Sequence, residues 1–81
     1  MSVVVLLFGP HAAAVGADRV SVDLGGTHTC DALVGALRVQ HPALGGLMGG
    51  ARIAVNGRFA APETVVARGD ELALIGLVGG G

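Results

Sequence analysis

The sequence predicts an α+β fold, a single mixed sheet with one main helix packed across it. Three observations carry this expectation. Apolar runs at residues 2–8 and 71–75 have strand length and are rich in Val, Leu and Ile. Residues 19–24 alternate as Arg19, Val20, Ser21, Val22, Asp23, Leu24, the period of two of a half-exposed strand. Residues 30–40 place Cys30, Leu33, Val34 and Leu37 at i, i+3, i+4 and i+7, which is the stripe of an amphipathic helix.

Taken in order, residues 2–8 suit a central strand buried on both faces, stopped by Gly9-Pro10. Residues 11–15 form a short helical turn closed by Gly16, and the strand at 19–24 returns antiparallel to the first. Gly25-Gly26 breaks that strand, Thr29 caps the helix, Asp31 complements its dipole, and Pro42 prevents its continuation. The glycine-punctuated stretch 45–50 reads as a loop, with Leu47 and Met48 as candidates to dip back into the core. Residues 52–55 make a third strand. Asn56-Gly57 is a hairpin signal because both residues tolerate positive φ, and residues 58–60 begin the return. Pro62 limits that pairing, leaving 62–66 as a turn or edge piece, and Arg68-Gly69-Asp70 turns the chain into 71–75. The order β-β-α-β-β-β is that of the β-grasp architecture, in which the first and last strands run parallel at the sheet centre. The expected organisation is a β-grasp domain over residues 1–75 and a flexible glycine tail over 76–81.

Eighty-one residues make one small domain. Apolar residues make up 52%, enough for a core, and with only Phe8 and Phe59 aromatic that core is built from Val, Leu, Ile and Ala. The formal charge is −1, with five Arg, no Lys and no Tyr or Trp. A chain without a basic stripe or stacking platforms is not expected to bind nucleic acid. No signal peptide and no membrane span are read, and the single Cys30 forms no internal disulfide, so the cytoplasm is the expected compartment. His11, His28 and His41 lie in different segments without ligand spacing, so no metal site is expected. Cys30 falls on the apolar helix face as a buried, inert thiol.

The residues resemble the small subunit of molybdopterin synthase, a ubiquitin-like sulfur carrier, over nearly the whole chain. The resemblance rests on the apolar first strand running into Phe8, on Val15-Gly16, and on Thr29-Cys30-Asp31-Ala32-Leu33 opening the helix. It rests further on Ala54-Val55-Asn56, on Gly69-Asp70-Glu71, and on the final Gly80-Gly81. A proline pair is common in the family where this chain has Gly76-Leu77, and a small non-glycine residue where it has Gly79.

What the resemblance implies is a carrier that is not an enzyme by itself and binds no cofactor. An adenylating partner would activate the Gly81 carboxylate with ATP, and a persulfide-bearing sulfur donor would attack the mixed anhydride. The resulting thiocarboxylate would pass its sulfur to a molybdopterin precursor in the large subunit of molybdopterin synthase. Gly80, Gly79, Val78 and Leu77 are the residues expected to enter the partners, since glycines lack a Cβ that would obstruct a narrow channel. Leu77, Val78 and an exposed apolar patch on the sheet are expected to supply affinity. A carrier of thiamine-thiazole biosynthesis, another dedicated thiocarboxylate carrier, and a β-grasp interaction or protein-modifier module remain as alternatives.

Overall fold

The computed structural model describes residues 1–26 and 28–76. Their elements are β1 (Ser2–Leu7), α1 (Gly9–Val15), β2 (Arg19–Asp23), α2 (Cys30–Gln40), a 3₁₀ segment (Pro42–Leu47), β3 (Arg52–Val55), β4 (Arg58–Phe59) and β5 (Leu72–Ile75). The strands form one sheet in the order β2-β1-β5-β3-β4. β1 runs antiparallel to β2 and parallel to β5, so the first and last strands are central neighbours, as the predicted β-grasp architecture requires. Beyond Gly76, the expected tail lies outside the described residues.

One face of the sheet carries the core. Val3, Val5 and Leu7 from β1, Val20 and Val22 from β2, and Leu72 and Leu74 from β5 turn toward α2, which answers with Cys30, Leu33 and Leu37. The α2 N-terminus is built as its sequence suggests. The Thr29 side chain accepts a hydrogen bond from the Ala32 N–H at 3.1 Å, which satisfies one of the donors a helix start leaves free. Two more are met by the segment at 62–66, where the carbonyls of Thr64 and Pro62 accept from the N–H groups of Cys30 and Asp31 at 2.9 Å each. The predicted turn or edge piece therefore serves as a backbone cap, and Thr29 and Val65 form an isolated bridge there.

Three expectations are corrected. Gly9-Pro10 does more than stop β1, because it opens α1: proline is tolerated in a first helical turn, where its missing N–H would have no partner. The stretch after α2 is not an open loop. Pro42 starts a 3₁₀ segment that buries Leu44 completely and is followed by buried Met48, while Leu47 stays 43% exposed. The apolar run of β1 is central but is not buried on both faces. Val4 is 50% and Phe8 53% exposed, because no element covers the outer face of the sheet among the described residues.

The sheet edges are tied down by side chains. The Gln40 amide accepts from the Asp23 N–H at 2.9 Å and donates to the Asp23 carbonyl at 2.8 Å, while His41 Nε2 donates to the Ser21 carbonyl at 2.8 Å. These bonds occupy backbone groups on the β2 edge that would otherwise be free to pair with another chain. At the other end, Asn56 and Gly57 take positive φ (53° and 82°) in the β3–β4 hairpin, as their sequence predicts. The Asn56 side chain then accepts from the Glu71 N–H and donates to Asp70, fixing the hairpin to the turn that launches β5.

Candidate functional site at the end of the central strand

β5 is the element that delivers the chain toward its C-terminus. Leu72 and Leu74 are fully packed in the core, whereas Ala73 and Ile75 point to the outer face and are half-buried. Register places Ala73 beside Leu6 and Ala54, and Ala54 beside Phe59, so one row of small and apolar side chains crosses the outer face. Phe59 is 52% exposed, and the Arg52 guanidinium lies over its ring at 4.9 Å, a cation–π contact that holds both side chains over the face. A hollow of about 300 Å³ opens there, with Phe8, Phe59, Ala73 and Ile75 among its walls.

A second, larger groove of about 420 Å³ lies on the other side of the same strand end, between α1 and the 3₁₀ segment. Phe8 and Ile75 border both hollows, and Gly76, Pro10, His11 and Leu47 complete much of the second. Ile75 thus borders both hollows, and Gly76, the last described residue of the chain, lines the larger one. Exposed aromatic and aliphatic groups grouped in this way are the usual mark of a docking face.

Of the sequence-predicted site residues, Leu77, Val78, Gly79, Gly80 and Gly81 lie outside the described residues. What the structure brings together is the surface they start from, the apolar patch expected on the sheet. Sequence reasoning placed Phe8 only as the end of a strand and missed His11 as a feature of this site. His11 is 3% exposed on α1, and its Nε2 donates to the Leu47 carbonyl at 2.9 Å. The one signal for it was its place directly after a helix-opening proline.

The remaining candidates have structural partners. His28 and His41 each donate to a backbone carbonyl, of Gly25 and Ser21 respectively. Cys30 is 3% exposed, and burial first, then the negative charge of Asp70, push its thiol up from the ordinary value. The Asp70 carboxyl is held below the usual carboxylate range, chiefly by the Ala67 N–H and then by the Asn56 amide. Among the described residues no helix is long and apolar enough to cross a membrane.

Comparison with known proteins addresses nearly the whole chain. The profile of the ThiS family matches residues 5–81. The structure of SAMP1 from Haloferax volcanii is 35% identical, with a TM-score of 0.81 and complete coverage of both chains. A putative molybdopterin converting factor subunit 1 from Pyrococcus furiosus is 20% identical, with a TM-score of 0.78 over 91% of this chain and 94% of that one. In the complex of subunits 1 and 2 of the molybdopterin-converting factor from Helicobacter pylori 26695, the matching chain is 24% identical. Its TM-score is 0.68, with complete coverage of both chains. No curated protein matches the chain in sequence.

Proposed function

The chain belongs to the ThiS family, and from that premise we propose that it is a sulfur carrier whose Gly81 carboxylate is adenylated and then converted to a thiocarboxylate. The observation that carries the reading is the course of β5. A strand anchored by Leu72 and Leu74 in the core brings Ile75 and Gly76 to the border of an apolar groove, and the glycine-rich residues 77–81 follow in the sequence. A carboxylate is a poor acyl donor until its oxygen has been made a leaving group. In the proposed route a carboxylate oxygen attacks the α-phosphorus of ATP in an adenylating partner and pyrophosphate leaves. The terminal sulfur of a donor's persulfide then attacks the acyl carbon and AMP departs. A second thiol cleaves the acyl disulfide and leaves the sulfur on Gly81.

The carrier's share of this chemistry is reach, access and docking, and it performs no catalytic step itself. Residues 77–81 span up to about 17 Å when extended, enough to bring the end into a partner's interior. Gly79, Gly80 and Gly81 keep the passage narrow, but ordering them costs on the order of 1–2 kcal/mol per residue. Affinity therefore has to come from elsewhere. Phe8, Phe59 and Ile75, with Leu77 and Val78, supply it by burying apolar surface against the partner. The acceptor we assign is a molybdopterin precursor held by a molybdopterin synthase large subunit. The described fold shared with subunit 1 of molybdopterin converting factors supports that choice.

The 35% identity to SAMP1, whose spelled-out name in a related structure is small archaeal modifier protein 1, favours a second reading. In it the activated Gly81 acyl group passes to an amine of another protein. Both readings share the adenylation step and diverge in the nucleophile.

Incubation with an adenylating enzyme of the same genome, ATP and a persulfide donor should add about 16 Da, one sulfur for one oxygen. Deleting Gly81 withdraws the carboxylate by about 3.5 Å and should abolish the gain without affecting the fold. A wild-type chain that never gains this mass, or a Gly81 deletion modified equally well, overturns the sulfur-carrier reading. Conjugates to lysine of other proteins, in place of the mass gain, establish the modifier reading.

A further inference from the structure

Among the described glycines, Gly76 is the position where a side chain would crowd a neighbour, which would have to give by a few tenths of an ångström. An ideal Cβ built there lies 3.0 Å from Cε1 of His11, whereas the other described glycines meet nothing within 4 Å. Gly76 does not hold a left-handed backbone, so turn geometry does not demand glycine. The obstacle is the His11 ring. That ring cannot easily swing away, because it is 3% exposed and its Nε2 is tied to the Leu47 carbonyl at 2.9 Å. A carbonyl only accepts, so Nε2 is the donor and the bond braces α1 against the 3₁₀ segment.

We propose that His11 is a positioning residue whose braced ring occupies the space beside Gly76 and so limits the directions in which the chain can leave β5. The functional consequence rests on the sulfur-carrier reading; the place of the ring beside Gly76 does not. The docking surface and the exit point share Ile75 and Phe8, so a partner that grips this surface receives the chain on a bearing set one residue later. Once a partner holds residues 77–81 extended, an error of about 10° at Gly76 displaces the carboxylate by about 3 Å over a reach of about 17 Å. Displacements of that size separate a reacting oxygen from its phosphorus.

The test is a double-mutant cycle on the full chain with its adenylating partner. Gly76→Ala should lower kcat for mass gain on the order of 10–100-fold, with KM within about twofold, because docking is intact and aim is lost. His11→Ala alone should lower kcat by a similar factor with KM little changed, and the double variant should lose little more than either single one, because both disturb the same exit from β5. Should His11→Ala fold poorly, His11→Asn removes the ring with a smaller side chain that keeps an N–H donor. In the isolated protein, Gly76→Ala should also displace the NMR signals of the His11 ring and of the Leu47 amide group. Rate losses that merely add, a loss expressed in KM alone, or unmoved ring signals would overturn the proposal. A wild type that never gains mass counts against the sulfur-carrier reading alone, and the place of the ring beside Gly76 is then decided by the ring signals.

Discussion

Leu37→Ala probes the packing of α2 on the core. Leu37 is completely buried on α2, which packs against the 3₁₀ segment and β2. Truncation removes three carbons. Their lost transfer energy is about 2 to 2.5 kcal/mol at 0.8 kcal/mol per buried methylene, and residual cavity cost brings leucine truncations to about 2–5 kcal/mol. Two features favour the lower half of that range. The 3₁₀ segment carries Gly45 and Gly46 and can settle toward a void, and alanine is a slightly better helix former than leucine. An expected loss of about 3 kcal/mol is a large share of the roughly 4–12 kcal/mol available to a domain of this length. Urea unfolding followed by circular dichroism should show the midpoint falling with an unchanged slope, and the melting temperature should drop by roughly 12–24 °C. Val39→Ala is the control, since Val39 is 79% exposed on the same helix and its truncation should change stability by less than about 0.5 kcal/mol. A Leu37→Ala loss below about 1 kcal/mol, or one matched by Val39→Ala, would refute this account of the core.

The Asp70 carboxyl is held low, so the stability it contributes is present above the unfolded carboxylate value and is lost as pH falls through the folded one. Wild type should therefore be more stable than Asp70→Asn at pH 7, with the gap closing below about pH 4; an equal gap at both pH values would remove the carboxylate from the explanation. Cys30, buried and raised, should resist iodoacetamide in the native protein and react quickly once urea unfolds it, and native labelling at the unfolded rate would contradict its burial. Phe59→Asp should leave unfolding nearly unchanged, since the side chain is half exposed, yet weaken capture by the adenylating partner at least tenfold; unaltered capture would move docking off the sheet face.

Local chemistry was enough to make much of this protein legible in its sequence. The helix stripe of Leu33 and Leu37, the Thr29 cap and the Asn56-Gly57 hairpin each follow from residue type at fixed spacing, and each is present. The parallel pairing of β1 with β5 followed from packing one helix across one sheet. Where sequence reasoning fell short, the missing information was non-local. Periodicity reports that Val4 and Phe8 are apolar, but only the arrangement of the helices reveals that no element among the described residues covers them. The turn after α2 was misread because glycines suggested a loop, while the burial of Leu44 and Met48 is set by α2 and α1 closing over them. His11 looks in sequence like any polar residue of a short helix. Its place beside Gly76 depends on a ring at residue 11 and a strand end at residue 76 being brought together by the parallel pairing of β1 and β5, a juxtaposition that only the tertiary fold creates.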